Sequence, residues 1–233
     1  MINLPNVTLL SVNCVNHLES AKALRYSQRG IKFGESLLFT DQCRGIASPP
    51  EFRIVDIPKL SYHEYNDFIL GLARHVDTDF VLVIQDDGFV TTPEMWDPRF
   101  LEYDYIGAPW PAEPSWVDQQ RLAGEIRAAY PHNRVGNGGF SLRSRRFMEA
   151  SAEFDTCGGL GEDAFLCTKN YHHMVDKGIK FAPMDLAYKF SYENPLLEYG
   201  HKWNSSVELK TAEHFGFHGH QFRNSQQVIN LKG

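Results

Sequence analysis

SYHEYNDFILGLARHVDTDFVLVIQDDG, residues 61–88, contains the clearest secondary-structure signals in the chain. Ser61 and Glu64 have the spacing of a capping box, which predicts the start of a helix. The apolar residues that follow recur at helical intervals, at Tyr65, Phe68, Ile69, Leu72, Ala73 and Val76. The run FVLVI, residues 80–84, is apolar at every position, as in a central strand buried on both faces. A helix that leads into such a strand favours a parallel sheet.

The residues before this stretch also alternate between strand and helix signals. Asn16 and Glu19 have capping-box spacing, and Leu18, Ala21 and Leu24 then recur at helical intervals. Apolar runs rich in β-forming residues predict strands at Val7–Cys14, Glu35–Thr40 and Phe52–Ile57. The order of strand, helix and strand predicts an α/β fold with a mainly parallel central sheet and helices on both faces.

The residues after this stretch are less regular. We expect helices around Leu122–Tyr130 and over Glu162–Val175, and strands at Tyr105–Trp110, in the extended end of Val135–Leu142, at Ile179–Ala182 and at Glu213–Phe217. No repeat or linker separates the two parts. The interpretation is therefore a single domain, residues 1–233, with a nucleotide-binding half at about 1–110 and an acceptor half at about 111–233.

Composition excludes several classes of protein. The 233 residues are 42% hydrophobic and 22% charged, which is typical of a globular protein. A net charge of −6 argues against nucleic acid as a partner. No apolar run approaches the roughly 20 residues that span a membrane, and no basic residue precedes the first apolar run, so we expect a cytoplasmic protein without a signal peptide. The four cysteines lack CxxC spacing, which argues against structural zinc and against a disulfide framework, and Cys14 is predicted in the core.

Two adjacent carboxylates follow the predicted central strand, in the segment Gln85-Asp86-Asp87-Gly88. Ligands in open parallel sheets bind beyond the carboxyl ends of the strands. Adjacent negative charges there are costly unless a positive charge compensates them. A divalent cation bound together with a diphosphate would do so. The alternative is a solvated Asp-Asp-Gly turn.

Three further segments carry residues suited to chemistry. Gly136–Phe140 (GNGGF) would let a ligand approach the main chain, although, taken alone, the segment favours a tight turn or bulge. Glu162 and Asp163 open a helix, where the helix dipole stabilises carboxylates; alternatively, one of them faces the cleft as a general base. His218 and His220 would lie on one side of a strand, and either is a candidate metal ligand. A basic cluster has two open interpretations, a solvated helix start or an anion site, and comprises Arg134, Arg143, Arg145 and Arg146.

The order of these segments resembles that of GT-A-fold glycosyltransferases, which have an Asp-x-Asp metal motif, a glycine-rich loop, a Glu-Asp motif and a late metal-binding His. The chain is similar to a more specific set of mostly bacterial glycosyltransferase-like domains. The blocks that carry this resemblance are VIQDDGFV (83–90), YDYIGAPW (103–110), VGNGGFSLRS (135–144), GEDAFLC (161–167), GIKFAP (178–183) and FGFHG (215–219). One departure is that Gln85 occupies the first acidic position of the metal motif.

The resemblance implies a role for each candidate residue. Asp87 and His218 would hold Mn²⁺ or Mg²⁺, and Asp163 would be the base of an inverting transfer, with Glu162 orienting it or binding the acceptor. A retaining enzyme would not need that base. Residues implied at the nucleotide sugar are Val12, Asn13, Asp41, Gln85, Asp86, Asn137, Gly138 and Gly139. Residues implied at the acceptor are Trp110, whose burial is an equally good explanation of that residue, and Arg143.

The implied substrates are a nucleotide sugar, with a UDP-sugar as the default, and a hydroxyl of a glycan or lipid-linked glycan in cell-surface polysaccharide synthesis. A lipid-linked acceptor would require peripheral contact at the inner face of the membrane. Two alternatives are a non-catalytic carbohydrate-binding domain and a nucleotidyltransferase. The second should have a glycine-rich basic loop after the first strand, and residues 11–16 (SVNCVN) contain neither glycine nor a basic residue.

Overall fold

The fold is built on a central sheet with helices on both faces. The computed structural model describes residues 1–47, 51–112, 123–193 and 206–233. The strands of its central sheet are β1 (Ile2–Val12), β2 (Ile31–Thr40), β3 (Arg53–Asp56), β4 (Phe80–Val83), β5 (Tyr105–Gly107) and β6 (Ser141–Ser144). Their order is β3-β2-β1-β4-β6-β5. The first four pair in parallel, and β6 is antiparallel to both of its neighbours.

Short helices lie between these strands and after them in the chain. They are α1 (His17–Ser27), α2 (Tyr62–Leu70), α3 (Ala123–Ala129), α4 (Arg145–Ser151), α5 (Glu162–Ala164), α6 (Tyr171–Asp176), α7 (Met184–Phe190) and α8 (Ser225–Ile229). A second, two-stranded sheet pairs β7 (Ser191–Tyr192) with β8 (Gly216–Phe217). Among the described residues, no helix is both long enough and apolar enough to cross a membrane.

Alternate residues of β1 point to opposite faces of the sheet, and both faces are covered. Leu9 shares one apolar cluster with Leu24 of α1. Leu10 shares another with Ile69 of α2. Because β4 lies between β1 and β6, its residues Val81–Val83 are buried, as the apolar run predicted. The predicted α/β class is confirmed.

The register aligns the carboxyl ends of β1, β2 and β4. Val12 pairs with Phe39, and Leu10 pairs with Val83. The residues that follow these strands therefore meet at one edge of the sheet. This edge carries Asn13, the start of α1 and the acidic turn after β4.

Four details of the predicted secondary structure were wrong. The capping box at Ser61 is present, but α2 ends at Leu70, and the predicted helix continues only as a 3-10 turn, Leu72–Arg74. The side chain of Asn16 makes no cap bond to α1, because it donates to Asp86 instead. Residues 179–182 form no strand and only a single bridge, between Tyr105 and Phe181. The helix predicted from Glu162 is interrupted by a π-helical segment, Phe165–Lys169.

Each arginine of the basic cluster has a partner within the protein. Arg134 donates to the Trp110 carbonyl at 2.8 Å, and Arg146 pairs with Asp104 at 2.8 Å. Arg145 donates to main-chain carbonyls of residues 73–78. Arg145 and Arg146 begin α4, and the Arg146 side chain is 55% exposed, so the interpretation as a solvated helix start is confirmed for Arg146. The structure does not favour an anion site. All four cysteines are free, and Cys14 is buried as predicted.

Candidate active site

A tight turn follows β4 and presents its two carboxylates in different directions. The main-chain groups of Gln85 and Gly88 exchange hydrogen bonds of 2.9 and 3.2 Å, which closes the turn. Asp86 accepts hydrogen bonds of 3.0 Å from the side-chain amides of Asn13 and Asn16. These amides hold Asp86 towards the loop between β1 and α1.

Asp87 points instead at two histidines. Its carboxylate lies 3.7 Å from Nε2 of His218 and 3.2 Å from Nε2 of His220. The main-chain N–H of Gly219 donates to the Asp87 carbonyl at 2.9 Å, and Gly219 has a φ of +88°, which favours glycine. The turn at Gly219 thus brings both imidazoles to Asp87, although the strand β8 ends at Phe217.

Hydrogen-bond acceptors surround the imidazole of His218. Its Nδ1 is 3.2 Å from Glu193, and its Nε2 is 3.0 Å from the side-chain oxygen of Gln85. Burial alone would lower the pKa of His218, but the hydrogen bond with Glu193 and the charges of Asp87 and Glu193 outweigh it and raise the pKa to about 9. A Cβ at Gly139 would lie 2.0 Å from Nε2 of His218, so only glycine fits beneath the ring.

Asp87 and His218 would supply only some of the ligand atoms that a divalent cation requires. A carboxylate and an imidazole suit Mn²⁺, and a carboxylate suits Mg²⁺. Among the described residues, no group of three or more His, Cys, Asp or Glu side chains is arranged to hold a metal ion. The fit therefore requires further ligands from a substrate, which is how Mg²⁺ is commonly bound with phosphates. His220 is an additional candidate from the same histidine motif.

The Asp163 carboxylate lies at the start of α5. It accepts hydrogen bonds from the main-chain N–H of Gly138 at 3.1 Å and of Ala164 at 2.7 Å. Burial, with a smaller contribution from the charge of Glu162, raises the pKa of Asp163 to about 7. Because the side chain is only half-buried, it remains accessible. A carboxylate that exchanges its proton near neutral pH suits general-base catalysis.

Glu162 forms a buried ion pair with Arg143. The guanidinium of Arg143 donates to its two carboxylate oxygens at 2.7 and 3.0 Å, and the side chains of Arg143 and Glu162 are 1% and 5% exposed. The prediction that Arg143 binds an acceptor is wrong in this structure, since its guanidinium is enclosed by protein. Arg143 also donates to the Gly138 carbonyl. The pair of Arg143 and Glu162 therefore supports the glycine loop, residues 136–140.

The glycine loop connects the elements of the site. Asn137 donates to Glu193 at 2.8 Å, while its own side-chain oxygen is buried without a hydrogen-bond partner in the described structure. A Cβ at Gly138 would lie 2.1 Å from a carboxylate oxygen of Glu162. The loop is therefore a close-packed support for acidic side chains, which the interpretation as a simple turn does not explain.

A cavity of about 370 Å³ opens at the carboxyl edge of the sheet. It is lined by four of the residues predicted to bind the nucleotide sugar, Val12, Asn13, Gln85 and Asp86. Sequence reasoning missed the other wall, which consists of Leu60, Ser61, Tyr62 and Tyr65 at the start of α2. The capping box at Ser61 was the available signal, because it places the next residues at the edge of the sheet.

The other residues predicted at the nucleotide sugar and the acceptor, among them Asp41 and Trp110, lie outside this cavity wall. Asp41 follows β2, and one of its carboxylate oxygens is buried without a hydrogen-bond partner among the described residues. Trp110 is 4% exposed and stacks on Tyr130, with ring centroids 6.1 Å apart. The interpretation of Trp110 as a buried residue is confirmed, and its predicted stacking on an acceptor sugar is wrong in this structure.

A second cavity, of about 420 Å³, lies on the other side of the acidic turn. Asp86, Asp87 and His220 line it, together with Lys22 and Lys232. The Lys232 side chain is 3% exposed, pairs with Glu19 and donates to the Asp86 carbonyl. The acidic turn therefore separates two cavities, and the second carries the basic groups.

Comparison with solved structures establishes the fold. A galactosyltransferase, LgtC, solved with donor and acceptor sugar analogs, is 13% identical with a TM-score of 0.54, over 97% of this chain and 95% of that chain. An active-site mutant of LgtC has a TM-score of 0.52 at 13% identity, over 96% and 94% of the two chains. Glucosyl-3-phosphoglycerate synthase from Mycobacterium tuberculosis has a TM-score of 0.47 at 11% identity, over 79% and 75%. The LgtC structures show that this chain has the GT-A fold.

Sequence comparison gives the family. No curated protein sequence matches this chain significantly. One family model matches residues 53–218, which contain β3, β4, the acidic turn, the glycine loop, Asp163 and His218. Because this match covers more than half of the chain, the protein belongs to the family described as "Protein of unknown function (DUF5672)".

Proposed function

We propose that this protein is a metal-dependent glycosyltransferase. It transfers a sugar from a nucleotide sugar, with a UDP-sugar as the default donor, to a hydroxyl group of a glycan, with inversion at the anomeric carbon. The GT-A fold supports the proposal, since LgtC, which shares that fold, was solved with donor and acceptor sugar analogs. Fold alone does not assign function, so the residues of the site must carry the argument.

One observation carries the proposal: two consecutive residues of the glycine loop contact the candidate base and the candidate metal ligand. Gly138 donates its N–H to Asp163, and Gly139 packs against the ring of His218. Because consecutive Cα atoms are about 3.8 Å apart, the candidate base and the candidate metal ligand contact main-chain positions that lie close together. A transferase needs this arrangement, since the acceptor hydroxyl must meet the sugar beside its leaving diphosphate.

Asp87 and His218 would hold Mn²⁺ or Mg²⁺ together with the donor diphosphate. When bound, the cation would neutralise the negative charge that develops on the leaving nucleoside diphosphate. His218 must lose the proton on Nε2 to serve as a ligand. Its second nitrogen, Nδ1, faces Glu193, and such a carboxylate contact orients a ligating imidazole.

Asp163 would take the proton of the acceptor hydroxyl. The acceptor oxygen then forms a bond to the anomeric carbon, and the bond from that carbon to the diphosphate breaks with its electron pair remaining on the diphosphate. Attack from the side opposite the leaving group inverts the configuration. Glu162 would not act as the base, because the guanidinium of Arg143 engages both of its oxygens.

The donor nucleoside would lie in the 370 Å³ cavity, against Val12, Asn13, Gln85 and Asp86. The nucleobase would lie near Asp41, which follows β2 at the same edge of the sheet. Asn137 would offer its unpartnered side-chain oxygen to the donor sugar. The proposed acceptor is a glycan or lipid-linked glycan in cell-surface polysaccharide synthesis.

Calorimetric titration tests this proposal. UDP, GDP and CMP are titrated into the protein with Mn²⁺ and again with EDTA. We expect UDP to bind only with Mn²⁺, and binding to be lost in Asp87→Asn. The matched control is Asp176→Asn, at an exposed residue of α6, which should bind as the wild type does. Absence of nucleotide binding under every condition would overturn the metal-bridged mechanism and favour the carbohydrate-binding alternative.

A further inference from the structure

Tyr62 presents an aromatic ring to solvent on a rigid element. It is 63% exposed, and it is the one aromatic residue among the strongly exposed large apolar residues of the described structure. The adjacent capping box fixes the first turn of α2, and the side chain of Asn66 donates to the Tyr62 carbonyl at 2.7 Å. Single exposed apolar residues are common, so its surroundings must show whether the ring has a function.

The hydroxyl of Tyr62 lies close to the candidate base. A Cβ placed on Gly161 would be 2.9 Å from Oδ1 of Asp163 and 3.4 Å from Oη of Tyr62, so both atoms surround one small volume. Burial and then the charge of Asp163 raise the pKa of the Tyr62 phenol, which agrees with this proximity. Tyr62 also lines the donor cavity. The ring therefore stands between the donor cavity and Asp163.

A surface of bare main chain lies beside His63, whose ring centroid is 5.5 Å from that of Tyr62. Gly158 and Gly159 have φ values of +62° and +88°, and a Cβ on Gly158 would meet no atom within 4 Å. A Cβ on Gly159 would meet only His63, at 3.9 Å. Asp67 of α2 holds the loop in place by accepting a hydrogen bond of 2.7 Å from the N–H of Cys157.

We propose that Tyr62, His63 and the Gly158–Gly159 main chain form the acceptor-binding site and receive a pyranose ring of a glycan. This inference rests on the proposed function and names the acceptor side of that site. An aromatic ring with a polar tip suits a sugar, which has an apolar C–H face and hydroxyl edges. The main chain at Gly158 and Gly159 lets the sugar approach closely. Tyr62 thereby takes the place that the sequence predicted for Trp110 and Arg143.

The test measures binding of donor product and of sugar separately. Saturation-transfer NMR detects methyl α- and β-glycosides of glucose, galactose and mannose on the protein saturated with UDP and Mn²⁺, and calorimetry measures UDP. We expect at least one glycoside to bind. We expect Tyr62→Ala to weaken that glycoside about three- to tenfold, the size of one aromatic contact, and to weaken UDP by a smaller factor, because Tyr62 also lines the donor cavity. Tyr62→Phe should retain most of the affinity. The matched control is Val175→Ala, at an exposed residue of α6.

The outcomes separate this inference from the proposed function. Unchanged glycoside binding in Tyr62→Ala, with UDP still bound, overturns the acceptor site alone. A tenfold loss of UDP affinity in Tyr62→Ala assigns the ring to the donor and also overturns it. Failure of every glycoside to bind the wild-type UDP complex overturns it as well. If the wild type does not bind UDP, the proposed function itself fails.

Discussion

The main-chain N–H of Gly138 donates a hydrogen bond of 3.1 Å to the carboxylate of Asp163. The same loop packs its next residue, Gly139, against His218. A displacement of the loop would therefore move the base relative to the proposed metal ligand. We therefore expect a substitution at Asp163 to affect mainly turnover. A substitution at Gly139 should affect mainly donor binding.

Asp163→Asn should remove turnover and leave the donor bound. The amide has nearly the same shape as the carboxylate but cannot accept the acceptor proton, and general-base catalysis contributes about 10²–10⁴ in rate. We expect kcat to fall within that range and the Kd of UDP with Mn²⁺ to change less than threefold. Asp176→Asn is the control. Wild-type turnover in Asp163→Asn would rule out its role as the base.

The rate should depend on pH through Asp163. Because its pKa is raised to about 7, the base is protonated below that value. At saturating Mn²⁺, which displaces the proton of His218, we expect kcat/KM to rise about tenfold per pH unit below pH 7 and to level off above it. Initial rates from pH 5 to 9 test this. A profile that is flat between pH 5 and 7 would contradict the assignment.

The free energy of unfolding should also depend on pH through Asp163, but it should fall as the pH rises. Between about pH 4 and 7, the unfolded state releases the Asp163 proton while the folded state retains it, so rising pH favours unfolding in this interval. Relative to Asp163→Asn, the wild type should therefore lose free energy of unfolding from pH 4 to 7 and change little above 7. Urea unfolding of both proteins at each pH isolates the contribution of Asp163. A constant difference would show that its pKa is not raised.

The sequence predicts elements whose signals are local. The apolar run of residues 80–84 and the capping box at Ser61 need no distant partner, and both are confirmed. Asn16 shows why other local signals fail. It has the spacing of an N-cap, but its amide is used 70 residues away by Asp86. A tertiary partner of this kind leaves no trace in the spacing of residues.

Some features of the candidate site could also be predicted from the sequence, and others depend on distant partners. The resemblance implies Asp87 and His218 as ligands of one metal ion, and the structure places them 3.7 Å apart, while their role as ligands stays a prediction. Burial of Arg143 was not predicted, since arginine is seldom fully buried without a partner and its partner, Glu162, comes from another element. The sequence therefore marks the residues of the cleft but does not distinguish those that face it from those that support it.

The pair of Arg143 and Glu162 should be strongly coupled in stability. Removal of one partner leaves a buried charge without compensation, which costs about 3–5 kcal/mol. We expect Arg143→Met and Glu162→Met each to lower the free energy of unfolding by that amount, and the double variant to lose at least about 1 kcal/mol less than the sum. Urea unfolding at pH 7 measures all four proteins. Additive losses would mean that the pair is not formed.

Gly139→Ala should impair metal-dependent donor binding more than folding. A Cβ at this position would lie 2.0 Å from Nε2 of His218, so the imidazole must move away from Asp87. We expect the Kd of UDP with Mn²⁺ to rise at least about tenfold, with a smaller change in the midpoint of urea unfolding. The control is Gly124→Ala in α3, where a Cβ meets no atom within 4 Å and a helical alanine adds about 0.5–1 kcal/mol of stability. If Gly139→Ala binds UDP with Mn²⁺ as tightly as Gly124→Ala does, then the position of His218 does not control donor binding, and the metal must be held without this histidine.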